Sequence, residues 1–256
     1  MSDLGAAYSA GAAAWADGPT RVYARLADVL VEFSAFPLRD RSVLDLGSGT
    51  GAGSKAAQAA GARVVAVDLA LGMLLADGAD RPPASVGDIR MLPFKRDAFD
   101  VVLAPFSLNH LDDPATGVRE AGRVATELVA STYAADDDHP VKAAVEQALT
   151  TAGWEKPAWY SDLKEAMAAW GTVDVARAVI ERGGLRPVAV EHREVSFPEL
   201  GPRDMVAWRL GLAQCAPFVD RLDASTRERV VDEALSLLGP DPEPIVRRVI
   251  LLAATR

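Results

Sequence analysis

A single cysteine, Cys215, excludes an internal disulfide framework, and its pairing-free chemistry is that of a small buried apolar residue. A chain without disulfides is expected in a reducing compartment, here the cytoplasm. Basic excess is also lacking. The formal net charge is -9 and the pI about 4.9, with no run of lysine and arginine. That balance disfavours nucleic acid and anionic membrane as partners. No apolar stretch approaches the ~20 residues of a membrane helix. LGAAYSAGAAAWA, residues 4–16, lacks a basic leader and is flanked by Asp3 and Asp17, so it does not read as a signal sequence. Only three histidines are present, and no cluster has metal-ligand spacing. Asp136-Asp137-Asp138 lacks the pattern of a calcium loop and reads as solvated, with His139 beside it in a solvated loop.

What remains is ordinary globular material, half apolar and a quarter charged over 256 residues, enough for a large core. Val22, Leu26, Val29, Leu30 and Phe33 recur at helical spacing within 19–34. Apolar strands are predicted at 42–46, 63–67, 84–87, 99–104 and 127–132, separated by helices at 52–60, near 70–76 and after Asp113-Pro114. This alternation predicts an α/β fold with a parallel sheet covered on both faces. The second half predicts helices at 141–152, 161–170 (Asp162 and Glu165 as a capping box), 172–182, 202–215 and 223–238. Strands are predicted at 187–197 and 245–253, with His192 on an exposed edge. No repeat or flexible linker divides the chain, so one domain over 1–256 is expected.

The stretch VLDLGSGTGAG, 43–53, carries the chemistry. Gly47, Gly49 and Gly51 allow close backbone approach to a ligand, and the following helix offers free N–H groups. The spacing Gly47-x-Gly49-x-x-Ala52 also fits a dinucleotide loop. Asp45 argues otherwise: its carboxylate would repel a pyrophosphate and attract a cationic ligand. Asp68, at the end of the next strand, suits two ribose hydroxyls, and Asp88 in Gly87-Asp88-Ile89 suits an adenine amino group.

With these residues in order, the sequence resembles the class I S-adenosylmethionine-dependent methyltransferases, in particular the UbiE-like, type 11 group of small-molecule enzymes. The D-x-G-x-G-x-G motif is Asp45, Gly47, Gly49 and Gly51, with Ser48 inside it. VVAVDLALGML, 64–74, matches the second motif, with Leu69 and Met73 as adenosine neighbours. GDIRMLPFKRDAFDVVLAPFSLNHLDDP, 87–114, matches the third and fourth and includes Ala104. WADGPTRVY, 15–23, is similar to the segment that covers the cofactor, which would bring Tyr8, Trp15, Gly18 and Tyr23 near it. The resemblance implies a Rossmann-like seven-stranded sheet, its last strand antiparallel between strands five and six. It also implies S-adenosyl-L-methionine as cofactor and a small-molecule acceptor with an O, N or C nucleophile. Residues 1–35 would form a helical cover, and about 134–170 and 198–240 helical insertions would form a substrate lid. A monomer or homodimer is expected.

The chain departs from the group before the fifth strand. EAGRVATELVAS, 120–131, lacks the usual proline-glycine-glycine turn. His110 in SLNHL follows the fourth strand and is the candidate general base, the alternative being a packed structural histidine. Phe106, Asn109, Tyr133, Trp154, Trp159, Tyr160 and Trp208 are the candidate substrate contacts. Two other readings stay open: a methyltransferase fold that binds the cofactor but catalyses a step such as cyclisation, and an NAD-dependent oxidoreductase.

Overall fold

The computed structural model describes residues 2–76, 78, 81–168 and 170–256, without the side chains of residues 2, 3, 162, 165, 166 and 168. The capping box expected of Asp162 and Glu165 therefore lies outside the described residues.

Three helices open the chain: α1 (Ser2–Ala10), α2 (Ala12–Asp17) and α3 (Thr20–Phe33). On α3, Val22, Leu26 and Leu30 are fully buried, as their spacing requires. Then β1 (Ser42–Leu46), α4 (Ala52–Ala59), β2 (Arg63–Asp68), α5 (Leu71–Ala76), β3 (Ala84–Val86) and β4 (Phe99–Pro105) alternate. A 3-10 turn at Leu108–His110 leads to α6 (Pro114–Val124), capped by the Asp113 carboxylate accepting from Ala115 N–H at 3.2 Å. β5 (Ala125–Tyr133) begins at the next residue, so where the proline-glycine-glycine turn is lacking the helix passes into the strand with no loop at all. Helices α7 (Pro140–Thr151), α8 (Ala158–Ala168) and α9 (Val173–Arg182) precede β6 (Arg186–Phe197). The expected helix at 202–215 is two pieces, α10 (Pro202–Leu210) and α11 (Ala216–Val219). A Cβ on Gly211 would lie 2.6 Å from the Ala14 carbonyl, so the break sits where α2 packs on this segment. α12 (Ala224–Leu238) and β7 (Ile245–Thr255) end the chain.

The seven strands form one sheet in the order β3-β2-β1-β4-β5-β7-β6. The first five run parallel, and β7 is antiparallel to both β5 and β6. Val43, Leu44, Val101, Val102, Leu103, Leu128 and Val129 are completely buried, as central strands covered on both faces must be. One core layer sits under α3, α7, α10 and α12, the other under α6 and α9. α1 and α2 pack on α5, and α8 packs on the Leu108–His110 turn and β5. Both sets of helices stand at the carboxyl ends of the parallel strands, where ligands bind in open α/β sheets. No helix among the described residues is long and apolar enough to cross a membrane.

Candidate active site

The loop after β1 takes its shape from glycine. Gly47, Gly49 and Gly51 have φ of +72°, +55° and +83°, in the left-handed region. At Gly47 space is also short, since an added Cβ would lie 2.3 Å from the Ser107 Cβ. The Gly47 and Ser48 N–H groups donate to the Val67 carbonyl at 2.8 and 3.0 Å, binding the loop to the end of β2. Asp68 completes the cradle: its two carboxylate oxygens accept from Gly49 N–H and Ala70 N–H, both at 2.7 Å. Burial raises the Asp68 pKa, and those N–H donors oppose the rise. Each oxygen keeps a lone pair for a ligand.

One cleft runs across this end of the sheet. Its first half is lined by Gly47, Ser48, Gly49, Asp68, Leu69, Met73, Asp88 and Ile89, all expected cofactor neighbours. Tyr8, Trp15 and Tyr23 close over it from the N-terminal helices. The Asp88 carboxylate stands at the rim already engaged: Arg90 donates through its backbone N–H and through Nε and Nη2, the last at 2.6 Å. Asp45 is placed differently from its sequence reading. It is fully buried beneath the loop and does not line the cleft; its Oδ2 accepts from Ser54 Oγ at 2.6 Å, fastening β1 to α4. Gly51 caps α4, Gly87 packs against Val67, and Ala104 lies in the sheet core; none of the three reaches the cleft. Gly18 faces the Ala207 carbonyl instead of the cleft.

Aromatic rings form a continuous wall. Tyr8 and Trp15 have centroids 5.6 Å apart, Trp15 and Tyr23 4.8 Å, Tyr23 and Phe106 5.7 Å, Phe106 and Tyr133 4.5 Å. The Tyr133 hydroxyl donates to the Tyr23 hydroxyl at 2.5 Å. Phe106 holds φ of +53°, a strained conformation for a bulky residue that places its ring on the cleft.

His110 lines the same wall and is held at both nitrogens. Its Nδ1 lies 3.1 Å from Asn109 Oδ1, which can only accept, so Nδ1 carries the proton. Nε2 is then the acceptor for the Tyr8 hydroxyl at 2.8 Å. Burial pulls the His110 pKa down to about 4. The ring is therefore neutral at pH 7. Asn109, expected to touch substrate, is fully buried and orients His110 from behind.

The far half of the cleft holds Phe106, Tyr133, Trp159, Tyr160 and Trp208, as read from the sequence. Trp154 does not join them. It is buried between α7 and the turn after α10, its Nε1 donating to the Gln214 carbonyl at 3.2 Å. Sequence reasoning missed the charged lining: Asp137, Lys142, Lys164, Arg209 and Arg247. Asp137 is not a solvated acid of the 136–138 run. It accepts from Arg247 Nε at 3.0 Å and from Arg248 N–H at 2.8 Å, with both side chains of the Arg247 pair about nine-tenths buried. His139 is likewise not a free loop residue; its Nδ1 accepts from Val141 N–H at 3.2 Å and caps α7. The available signal was Arg247 itself, a charge inside the apolar run IVRRVILLA. His192 stands exposed on edge strand β6 beside Asp136, as expected, and Cys215 is fully buried with its thiol pKa pushed up to about 12. Among the described residues no cluster of histidine, cysteine and acids has the makings of a metal site.

Comparison with known proteins places this geometry. The family model described as "Methyltransferase domain" matches residues 44–127, from β1 into β5. The chain is 31% identical to the demethylmenaquinone methyltransferase of Streptomyces avermitilis over 185 residues, covering 67% of this chain and 78% of the relative. The enzyme of that name from Mycolicibacterium paratuberculosis is 40% identical over 84 residues, of which the chain spans only 36% of the relative's length. A crystal structure from Anabaena variabilis, named for an antibiotic biosynthesis pathway, superposes with a TM-score of 0.60 at 16% identity, covering 89% of this chain and 96% of that one. The cyclase SpnF superposes at 0.53 with 19% identity, covering 91% and 81%. At those identities the two structures attest the fold alone.

Proposed function

This chain belongs to the S-adenosylmethionine-dependent methyltransferases, in the UbiE-like type 11 group, and on that premise we propose how its cleft methylates a small-molecule acceptor. The nicotinamide reading of the glycine spacing falls with that membership. The residues present suit the cofactor. The loop offers glycine backbone and the Ser48 side chain, with no lysine or arginine between residues 47 and 54, as befits a ligand without phosphate. Gly47, Ser48 and Gly49 would hold its amino-acid end, Asp68 its ribose, and Leu69, Met73, Asp88 and Ile89 its adenine. Bound there, S-adenosylmethionine supplies a methyl group on a sulfonium, already a strong electrophile. Asp45 supports the loop from below and reaches the ligand only through it.

The protein's own task is then alignment and exclusion of water. Tyr8, Trp15 and Tyr23 cover the cofactor end, while α8 and α10, within the inserted segments 134–170 and 198–240, cover the acceptor end with Trp159, Tyr160 and Trp208. His110 is the candidate proton acceptor. A group whose pKa is near 4 and whose Nε2 already serves Tyr8 is a weak base at neutral pH, so most of the rate is assigned to positioning. The enzyme is expected to act in the cytoplasm, as a monomer or homodimer, without nucleic acid. The observation that carries this reading is one cleft joining the glycine loop and Asp68 to the aromatic wall.

Two measurements test it. Calorimetry should show binding of S-adenosylhomocysteine and none of NADH; the reverse pattern would sink the assignment. Methyl-labelled cofactor incubated with candidate acceptors, demethylmenaquinone first because the relatives carry its name, should place label in product. Conversion without label would instead support a non-methylating step such as cyclisation.

A further inference from the structure

Donors accumulate at the end of the cleft farthest from the glycine loop. Arg247, on β7, lies with its guanidinium carbon 4.5 Å from the Tyr133 ring centroid and 4.7 Å from that of Trp208. Asp137 takes its Nε and Nη2 edge. Nη1 makes no hydrogen bond among the described residues, although Arg247 lines the cleft. The Arg209 guanidinium carbon lies 5.6 Å from the centroid of the same indole, and the residue is 5% exposed. Its Nη2 reaches Glu146 at 3.3 Å, but its Nε is buried without a partner. Trp208 Nε1 and Gln214 Nε2 are also buried and unpartnered, and both residues line the cleft. Arginine and indole nitrogens can only donate. A buried donor without an acceptor is costly, and three such donors on residues that line one cavity, beside the unpaired Nη1 of Arg247, call for a ligand oxygen.

Charge points the same way. Arg209, Arg247, Lys142 and Lys164 line this end against Asp137 and Asp138, with Glu146 paired to Arg209 outside the cleft. Lys164 has no ion-pair partner among the described residues. Its pKa is lowered by burial and by the cations Lys142, Arg209 and Arg247 around it. A locally positive, donor-rich pocket inside an acidic protein has a defined complement.

We propose that this end of the cleft is an anion-reading subsite, built from Arg247, Arg209, Trp208 and Gln214, that selects an aromatic acceptor carrying a carboxylate or a comparably ionised oxygen. The proposal rests on the methyl-transfer reading of the cleft and specifies its acceptor. The rings of Trp159 and Tyr160, which line the same end of the cleft, take the aromatic body, and the unpartnered N–H groups take the anion. The acid-paired edge of Arg247 fixes the guanidinium so that its free edge stays directed.

The test uses the full chain saturated with S-adenosylhomocysteine and titrates naphthoate and its neutral counterpart naphthamide by calorimetry. Naphthoate should bind about tenfold or more tightly than naphthamide, as expected for charge-assisted over neutral hydrogen bonds. Trp208→Phe keeps a ring and deletes one donor, and Arg209→Lys keeps the charge and deletes the Nε donor; each should cut the preference several-fold while both proteins stay folded. Arg247→Gln should abolish it, and the two milder variants carry the test if Asp137, left unpaired, unfolds that protein. Equal binding of the two probes, preference for naphthamide, or binding of neither overturns the subsite. Binding of naphthoate without any S-adenosylhomocysteine binding refutes methyl transfer and leaves the anion site standing.

Discussion

Acidification should destabilise this protein through His110 in a measurable way. In the unfolded chain a histidine titrates near 6.5, whereas His110 in the folded chain titrates at about 4 because burial disfavours its charged form. The folded pKa is depressed, so the unfolded state binds the proton first as pH falls. Stability is therefore full above the unfolded pKa and declines below it, until the folded ring also protonates near pH 4. Between about pH 7.5 and about pH 5.5, linkage gives a loss of about 1.4 kcal/mol from this one side chain. The upper window is chosen because the sequence pI is about 4.9 and the chain stays anionic throughout. Urea unfolding at the two pH values measures the loss, with His110→Gln as the reference that cannot titrate. The wild type should lose about 1.4 kcal/mol more than the variant, the other ionisable groups cancelling in the difference. Proton NMR of the imidazole should show a midpoint well below 6.5, and Tyr8→Phe, which removes the donor to Nε2, should raise it. Identical pH slopes for wild type and variant, or a normal midpoint, would refute a buried, neutral His110.

Three further outcomes follow from the geometry. Gly47→Ala meets both a left-handed φ and the Ser107 side chain, and should cost about 2 kcal/mol or more in urea unfolding while abolishing S-adenosylhomocysteine binding by calorimetry. Asp68→Asn replaces an acceptor for Gly49 N–H and for the ribose; its affinity for S-adenosylhomocysteine should fall about tenfold or more, with unchanged affinity counting against the assigned role. Trp154→Ala should destabilise the fold by about 3–5 kcal/mol, as a core truncation, yet leave ligand affinity intact in protein that remains folded.

The sheet was legible because its strands are apolar runs bounded by glycine, proline and acids, and burial on both faces leaves such runs little freedom. The antiparallel last strand came from family resemblance, since periodicity carries no direction. The cofactor half of the cleft was legible because strand ends and glycine turns are local features. Asp45 was misplaced for a physical reason: residue type marked it as acidic, but only packing decides whether a strand-end carboxylate faces the cleft or the helix behind it. Trp154 and Trp159 show the same limit, five residues apart in one aromatic segment, one in the core and one on the cleft. Arg247 and Asp137 were missed because their pairing joins a strand to a loop 110 residues away in sequence, and each alone resembles a surface charge.

The run of rings from Tyr8 through Trp15, Tyr23 and Phe106 to Tyr133 also makes the molecule an optical instrument. Light absorbed by Tyr8 or Tyr23 is passed to the neighbouring indole of Trp15, the emitter within this run, and Trp15 sits over the cofactor end of the cleft. Trp208 forms a second emitter at the opposite end, in contact with two guanidinium groups. Trp159 shares the acceptor end with Trp208, so variants that keep the tryptophans of one end alone would report the arrival of that end's ligand and make the order of binding visible without a label.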